Sequence, residues 1–334
     1  MGRIGFTLFA LGATARGFTN SYATLLIVTA LYSIGSMMLS IALPKALATW
    51  FPPRGMGFAS GMYLTGYGLG ASLALSLVHP TFGDNWRLCL IVTGLLGVAA
   101  AIAWWIFSKE PPGQYSLNRL STDKQKLVET FKKAFKSRVT WLLTCIFFLY
   151  AEGFTSWFTF GFPFLARFRN VSQNFAGVLL MLTMVGYMAA TLTMPALSDW
   201  VGYRRPFMMF FSVLGAFLFL MLVYWKSPTI IGVSAFLIGM FFGTTNPLIF
   251  TIAAEAKELG PSLMGASVGI ISSFSSIAGF LVPTLTGRFV GSMSTASERK
   301  FHVVLVLASL YVGGVLVCAL LLRETGRKGV RIRD

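Results

Sequence analysis

Residues 301–322 read FHVVLVLASLYVGGVLVCALLL, an uncharged run near the C-terminus of the chain. The charged pair Arg323 and Glu324 follows it directly. A helix needs about 20 apolar residues to cross the roughly 30 Å of hydrocarbon in a lipid bilayer. The run meets that length without a charge, so it predicts a membrane-spanning helix.

Nine further apolar runs of similar length, with few or no charges, lie along the chain and are bounded by charged residues, Pro or Gly. The first run is short and contains Arg16, and its Ala13-Thr14-Ala15 leaves a secretory signal sequence as the alternative. The sequence predicts an all-α, polytopic membrane protein with about ten transmembrane helices, at approximately 4–20, 22–44, 57–78, 87–107, 141–166, 174–198, 206–225, 229–254, 264–287 and 301–322.

The composition supports the same class. Hydrophobic residues make up 55% of the 334 positions and charged residues only 11%, against about 25% charged residues in a typical soluble domain. The mean hydropathy is +0.73. Because so few polar residues cannot cover a water-facing surface, the composition excludes soluble, disordered and collagenous proteins.

Lys and Arg are distributed unequally between the two sides of the predicted helices. The side that holds both termini carries 19 of them, and the other side carries 8. Basic loops are enriched in the cytoplasm, so both termini are expected there, in a plasma or bacterial inner membrane. Basic residues that face anionic headgroups explain much of the net charge of +16, so no nucleic-acid partner is expected.

One long polar stretch, residues 109–138, divides the chain. It predicts a cytoplasmic linker between an N-terminal half of four helices (1–108) and a C-terminal half of six helices (139–323), with a cytoplasmic tail at 324–334. Part of the linker has helical periodicity that suits an amphipathic helix at the membrane surface. A solvated linker, a calmodulin-like partner and a lipid partner all remain open for this segment, whose apolar positions are Leu127, Val128, Phe131 and Phe135.

Two recurring sequence patterns indicate that the halves are repeats. Met56-Gly57-Phe58-Ala59-Ser60-Gly61 opens the third run, as Met264-Gly265-Ala266-Ser267-Val268-Gly269 opens the ninth. Lys109-Glu110 follows the fourth run, as Arg323-Glu324 follows the tenth. Two halves of six helices are implied, so the first half is expected to lack its two opening helices.

Two segments carry a family resemblance. Residues 48–61, ATWFPPRGMGFASG, followed by Asn85-Trp86-Arg87, resemble a loop and helix entry of the major facilitator superfamily. Residues 195–205, PALSDWVGYRR, resemble the superfamily's Gly, Leu, Asp, Gly and paired-basic motif between the second and third helix of each half, with Pro195 in place of the usual Gly. The resemblance runs from the family's third helix to its twelfth.

Within the superfamily, three segments are most similar to the cyanate and nitrate-like permease branch: Leu43-Pro44-Lys45, Asn246-Pro247 and residues 255–269. The fourth-helix Arg of many proton-coupled members is replaced by Thr29. Proton coupling through that Arg is therefore not expected.

The resemblance implies a secondary active transporter that moves a small solute by alternating access, with a small organic or inorganic anion as the candidate. A receptor or scaffold on a degenerate carrier fold and an inactive truncated gene product remain alternatives. A membrane-embedded enzyme is disfavoured, because His79 and His302 stand isolated without a metal partner at helical spacing. A monomer without cofactor or metal is expected, in contact with lipid and a small-molecule substrate, with a proton as candidate co-substrate.

Small residues at i, i+4 spacing recur at Gly57/Gly61, Gly66/Gly70, Gly239/Gly243 and Gly265/Gly269. They predict close helix packing or smooth faces on which the halves can rock.

Polar residues near mid-membrane define a candidate cavity, although a single hydroxyl in a helix more often bonds a backbone carbonyl or a neighbouring helix. In the resemblance, most of the helices that carry them line the central cavity. They are Tyr32, Ser36, Tyr63 and Tyr67 in the first half, and Tyr150, Glu152, Trp157, Tyr187, Thr191, Asn246, Ser273 and Ser276 in the second.

Glu152 is the one acid near the middle of a predicted span. A charge there costs roughly 2.5 to 3.5 kcal/mol on insertion scales. Its carboxyl is therefore expected to face the cavity or a partner, for substrate binding or proton coupling. A protonated Glu152 satisfied by a neighbouring helix is the alternative.

A gate motif is expected where the sixth run ends. Asp199, Gly202, Arg204 and Arg205 place one carboxylate beside two guanidinium groups. Such a cluster can hold helix ends together in one access state, and an exposed unpaired loop is the alternative.

Overall fold

The computed structural model describes residues 2–50, 66, 68–74, 81–83, 85–108, 124–169, 171–256, 258–291 and 297–326. Every regular element in these ranges is a helix, and seven of the helices are long and apolar enough to cross a membrane. The expected helical membrane fold is confirmed. The helices are α1 (Gly2–Ala15), α2 (Tyr22–Trp50), α3 (Trp86–Phe107), α4 (Lys124–Lys136), α5 (Arg138–Phe168), α6 (Gln173–Val201), α7 (Arg205–Met221), α8 (Pro228–Glu255), α9 (Gly260–Val290) and α10 (Glu298–Leu321).

Seven of the ten predicted runs correspond to these seven candidate spans. The first run forms only the 14-residue α1 and a 3₁₀ turn at Arg16–Phe18. The seventh forms α7, which is apolar but only 17 residues long. The third run, 57–78, lies mostly outside the described residues.

The chain folds as two compact units. The first consists of Met1–Gly66 with Leu77–Leu117, and the second consists of Tyr67–Ser76 with Asn118–Asp334. In the first unit α1 packs against both α2 and α3. Small residues permit this, because a Cβ at Gly94 would overlap the backbone of Thr14.

The second unit contains α4 and the bundle α5–α10. Its most extensive helix–helix contact is that of α6 with α8. A Cβ at Gly239 or Gly243 would overlap backbone atoms of α6, which confirms the close packing predicted for this pair of glycines. No described atom lies within 4 Å of the Cβ positions of Gly265 and Gly269, so that second glycine pair does not pack in the same way.

Large aromatic side chains fill the centre of the bundle, among them the fully buried Trp157, Phe219 and Phe242. Other large apolar side chains point outward, as Trp200 does with 82% of its surface exposed. An apolar outer surface around a packed aromatic core suits a bundle whose solvent is lipid.

Candidate functional site

Glu152 lies at the middle of α5 and is completely buried. Neither of its carboxylate oxygens has a hydrogen-bond partner among the described residues. Its neighbour Gly153 faces Val312 of α10, where an added Cβ would approach to 3.0 Å. Tyr311 on the same stretch of α10 lies within electrostatic range of the Glu152 carboxyl. A buried carboxyl without a donor is costly when ionised.

Tyr150, which is two positions before Glu152 on α5, contacts Asn246. The Asn246 side-chain amide of α8 donates a 3.2 Å hydrogen bond to the Tyr150 hydroxyl. The Tyr150 ring stacks on Phe147 and meets Phe242 edge-on, with centroids 5.6 and 5.4 Å away. Two of the residues predicted from sequence thus form one polar contact, set in an aromatic wall between α5 and α8.

Trp157, Thr191 and Tyr187 serve helix packing in the described structure. The Trp157 indole donates a 3.0 Å bond to the Thr183 hydroxyl of α6. The Thr191 hydroxyl donates to the carbonyl of Gly243 on α8 at 3.2 Å. Tyr187 is buried at the α6–α8 crossing, where its backbone faces Gly239 and Gly243. These bonds match the alternative reading, in which a polar residue in a helix bonds its neighbours.

The remaining predicted residues are spread over both units. Ser273 and Ser276 of α9 are exposed, and Ser276 donates to its own helix at the carbonyl of Ser272 (2.9 Å). Tyr32 and Ser36 lie on α2 in the first unit, where the Arg16 guanidinium sits 3.9 Å above the Tyr32 ring. Two more, Tyr63 and Tyr67, lie outside the described residues.

The predicted gate motif forms a buried ion cluster around Arg204, whose side chain is only 8% exposed. Its guanidinium pairs with Asp199 of α6 and, at 2.7 Å, with Glu255 at the end of α8. It also donates to the Ser198 hydroxyl at 3.1 Å. The hydrogen bond to Glu255, supported by Asp199, raises the pKa of Arg204 above its usual value, so this cation is permanent.

A third carboxylate, from near the end of the chain, completes the cluster. Glu324 accepts the backbone N–H groups of Arg204 (2.8 Å) and Arg205 (3.1 Å). These N–H groups open α7, where a carboxylate is favoured by the helix dipole. The Arg205 guanidinium donates to the Leu320 carbonyl at 2.7 Å and does not pair with Asp199. The cluster therefore joins the ends of α6, α7, α8 and α10, which is more than the local pair that the motif suggests.

Gly202 makes the cluster possible. It caps α6 with φ of 84°, a left-handed conformation that favours glycine. The sharp turn that follows brings Arg204 back onto Asp199 and Ser198 of the same helix end.

The opposite end of the bundle holds a second buried arginine, which the sequence did not mark. The Arg169 side chain is 1% exposed and pairs with Glu298 of α10 at 2.6 Å. It also donates to the carbonyls of Leu222 and Val223 at the end of α7, at 3.2 and 2.9 Å. The expectation of an isolated His302 is wrong, because its Nε2 lies 3.2 Å from the Glu298 carboxylate, one helical turn away. No group of three or more metal-ligating side chains occurs in the described part of the chain.

Comparison with known proteins gives consistent matches. The family model of the Major Facilitator Superfamily matches residues 1–283. Over 137 residues the chain is 26% identical to the galacturonate transporter of Dickeya chrysanthemi, covering 40% of this chain and 39% of that one. Over 131 residues it is 30% identical to the hexuronate transporter of Escherichia coli K12, covering 37% and 29%. The chain thus spans less than half the length of these curated relatives.

Solved structures show the same fold. A bacterial homolog of the human lysosomal transporter Spinster, inward-facing and unoccupied, superposes with a TM-score of 0.74 at 16% identity, covering 96% of this chain and 81% of that one. The fucose:proton symporter of E. coli superposes with a TM-score of 0.64 at 17% identity, covering 96% and 83%. At these identities the likeness is one of fold.

Proposed function

Since the chain belongs to the Major Facilitator Superfamily, we propose that it is a secondary active transporter that moves a small organic anion by alternating access. The two named relatives carry galacturonate and hexuronate, which are sugars that bear a carboxylate. A sugar acid is the substrate class we favour for this chain. The cyanate and nitrate-like branch, which would favour a small inorganic anion, stays a prediction.

The observation that supports coupling is the buried Glu152 carboxyl, whose two oxygens have no partner in the described part of the chain. An ionised carboxylate in that position is unfavourable, whereas a protonated one is tolerated. Glu152 would bind a proton while the cavity is open to the side from which the proton enters. It would release the proton after the transporter has changed to the other access state. Because a proton and a monovalent anion together carry no net charge, their symport is electroneutral.

Tyr150 and Asn246 are the proposed substrate contacts in the second unit. Their phenol and amide can bond hydroxyl and carboxylate groups of a sugar acid, as polar groups on an otherwise apolar wall commonly do. Their mutual bond of 3.2 Å would be exchanged for bonds to the substrate. Tyr32 and Ser36 remain candidates for the first unit.

The Arg204 cluster is the proposed cytoplasmic clamp of the six-helix half. Glu255 and Glu324 tie Arg204 and the start of α7 to α8 and α10, which favours movement of these helices as one body. The Asp199 side chain is 56% exposed. Asp199 is therefore the residue of the Arg204 cluster that we propose changes partners between access states. The excess of Lys and Arg on this side supports a cytoplasmic location for the clamp and for both termini.

Uptake into vesicles tests the proposal. We expect labelled galacturonate to accumulate when the outside is acidic, and we expect Glu152→Gln to abolish this pH-driven accumulation while part of the exchange remains. Glu129→Gln is the matched control, because Glu129 is an exposed acid on α4 that pairs with Lys133. Unchanged pH dependence in a transporting Glu152→Gln variant removes this residue from coupling. Binding without any uptake or exchange supports the receptor alternative.

A further inference from the structure

A groove lies between the amphipathic helix α4 and the membrane helix α9. Its volume is about 420 Å³, in the range of small-molecule sites. Its lining atoms are almost all apolar, and two lysine side chains contribute to the lining. The lining residues, here called the α4–α9 groove, are Val128, Phe131, Phe135 and Ile270 with Lys132 and Lys136.

Packing fixes α4 over the groove. Ala134 is fully buried against Ala266 and Ile270 of α9. At the end of α4, the Trp141 indole donates a 2.7 Å bond to the carbonyl of Phe135 and meets the ring of Phe274 on α9 at 5.1 Å. Tryptophan is enriched at the boundary between hydrocarbon and headgroups. The groove therefore lies at headgroup depth if α5 and α9 span the bilayer.

The apolar face of α4 is left half covered. Val128, Phe131 and Phe135 recur at helical spacing and are 52%, 45% and 51% exposed. Three such side chains on one face, above an apolar floor, need an apolar occupant. A helix lying in the interface obtains one from lipid acyl chains.

The two lysines of the lining favour an anionic headgroup. Lys132 and Lys136 are one helical turn apart, and neither has an ion-pair partner among the described residues, whereas Lys133 is held by Glu129 at 2.8 Å. Two such ammonium groups beside an apolar groove complement an anionic group joined to a hydrocarbon chain.

We propose that the α4–α9 groove binds one anionic phospholipid, with an acyl chain against Phe131, Phe135 and Ile270 and the phosphate between Lys132 and Lys136. The bound lipid would hold α4 on the start of α5 and on α9. This site is independent of the substrate and of Glu152.

The test is the lipid-dependent thermal unfolding of the whole chain in detergent. Phosphatidylglycerol is expected to raise the unfolding temperature at lower concentration than phosphatidylcholine does. A Lys without a carboxylate partner that faces an anionic headgroup contributes about fivefold to the affinity for anionic lipid. Lys132→Gln with Lys136→Gln should therefore weaken the apparent phosphatidylglycerol affinity about 25-fold, with little effect on phosphatidylcholine.

Two controls make the result specific. Lys133→Gln removes one charge from the same helix outside the groove, and it should leave the phosphatidylglycerol affinity within about twofold of the wild type. Glycerol 3-phosphate, a headgroup without a chain, should give no shift. Equal shifts with both lipids, or an unchanged phosphatidylglycerol affinity in the double variant, would overturn the proposal, as would a full shift with glycerol 3-phosphate.

Discussion

The two ends of the bundle α5–α10 each bury one arginine, but they neutralise it in different ways. Arg204 is paired with Asp199 and Glu255, and Glu324 binds the backbone beside it. Arg169 at the other end has one carboxylate, Glu298, and otherwise uses backbone carbonyls and the face of Phe164 at 4.3 Å. Two carboxylates pair with the Arg204 guanidinium at one end, whereas a single carboxylate pairs with the Arg169 guanidinium at the other.

This difference has consequences for stability. A buried charge whose partner is removed costs about 3–5 kcal/mol, but only where no second partner remains. Removing one acid from the Arg204 cluster leaves another beside the guanidinium. Removing Glu298 leaves Arg169 with only backbone carbonyls and the face of Phe164 as partners, although its side chain is 1% exposed. The two ends should therefore respond differently to the same kind of substitution.

Arg204→Gln should have the largest effect. It removes the cation from Asp199 and Glu255 and leaves them close together, so we expect a loss of about 3 kcal/mol or more in the free energy of unfolding. Unfolding in detergent micelles measures it. The matched control is Arg205→Gln, whose guanidinium makes one exposed bond to the Leu320 carbonyl and should cost about 1 kcal/mol. Equal losses for both arginines would show that the cluster adds nothing beyond a helix-end bond.

A direct comparison of the two ends uses one acid from each. Glu298→Gln should lower the free energy of unfolding by about 3 kcal/mol, because Arg169 then has no carboxylate partner among the described residues. Glu255→Gln should cost only about 1 kcal/mol, since Asp199 still pairs with Arg204. A larger loss for Glu255→Gln would contradict the contrast between redundant and single partners.

The sequence could predict one of these ends and not the other, for a physical reason. Asp199 and Arg204 are five positions apart, and Gly202 between them marks the turn that joins them. Glu255 and Glu324 meet Arg204 from 51 and 120 positions away, and Glu298 meets Arg169 from 129 positions away. Such pairs depend on which helices are neighbours, and hydrophobic periodicity does not specify that.

The depth of Glu152 in the membrane could also be predicted from the sequence, because the apolar run around it fixes its place near the middle of α5. The Tyr150–Asn246 contact could not be, because it depends on the rotation of α5 against α8. The depth of a residue depends on one helix alone, whereas a contact between side chains depends on how two helices pack. The spans can therefore be predicted from one sequence better than the contacts between helices.

His302 allows a finer test of the Arg169 end. Its Nε2 lies 3.2 Å from Glu298, and 30% of its side chain is exposed. His302→Gln should cost less than about 1 kcal/mol, as expected for a partly exposed pair. A double-mutant cycle with Glu298→Gln should give a coupling energy of about 0.5 kcal/mol or more. Additive losses would show that His302 does not contribute to the Arg169 cluster.

Asp199→Asn should have the smallest effect on stability and a clear effect on conformation. The Asp199 side chain is 56% exposed, and Arg204 keeps Glu255, so the loss in unfolding free energy should stay below about 1 kcal/mol. If Asp199 changes partners between access states, the variant should nevertheless shift the ratio of inward-open to outward-open molecules, measured as spin-label distances across the two halves.

Glu258→Gln is the control of equal charge change at the same end, because Glu258 is an exposed acid 3.6 Å from Arg323. A ratio that changes with Asp199→Asn and stays constant with Glu258→Gln supports a gate, because the two variants alter the local field alike and differ in the contact they remove. A constant ratio in both variants means that Asp199 only completes the turn at Gly202.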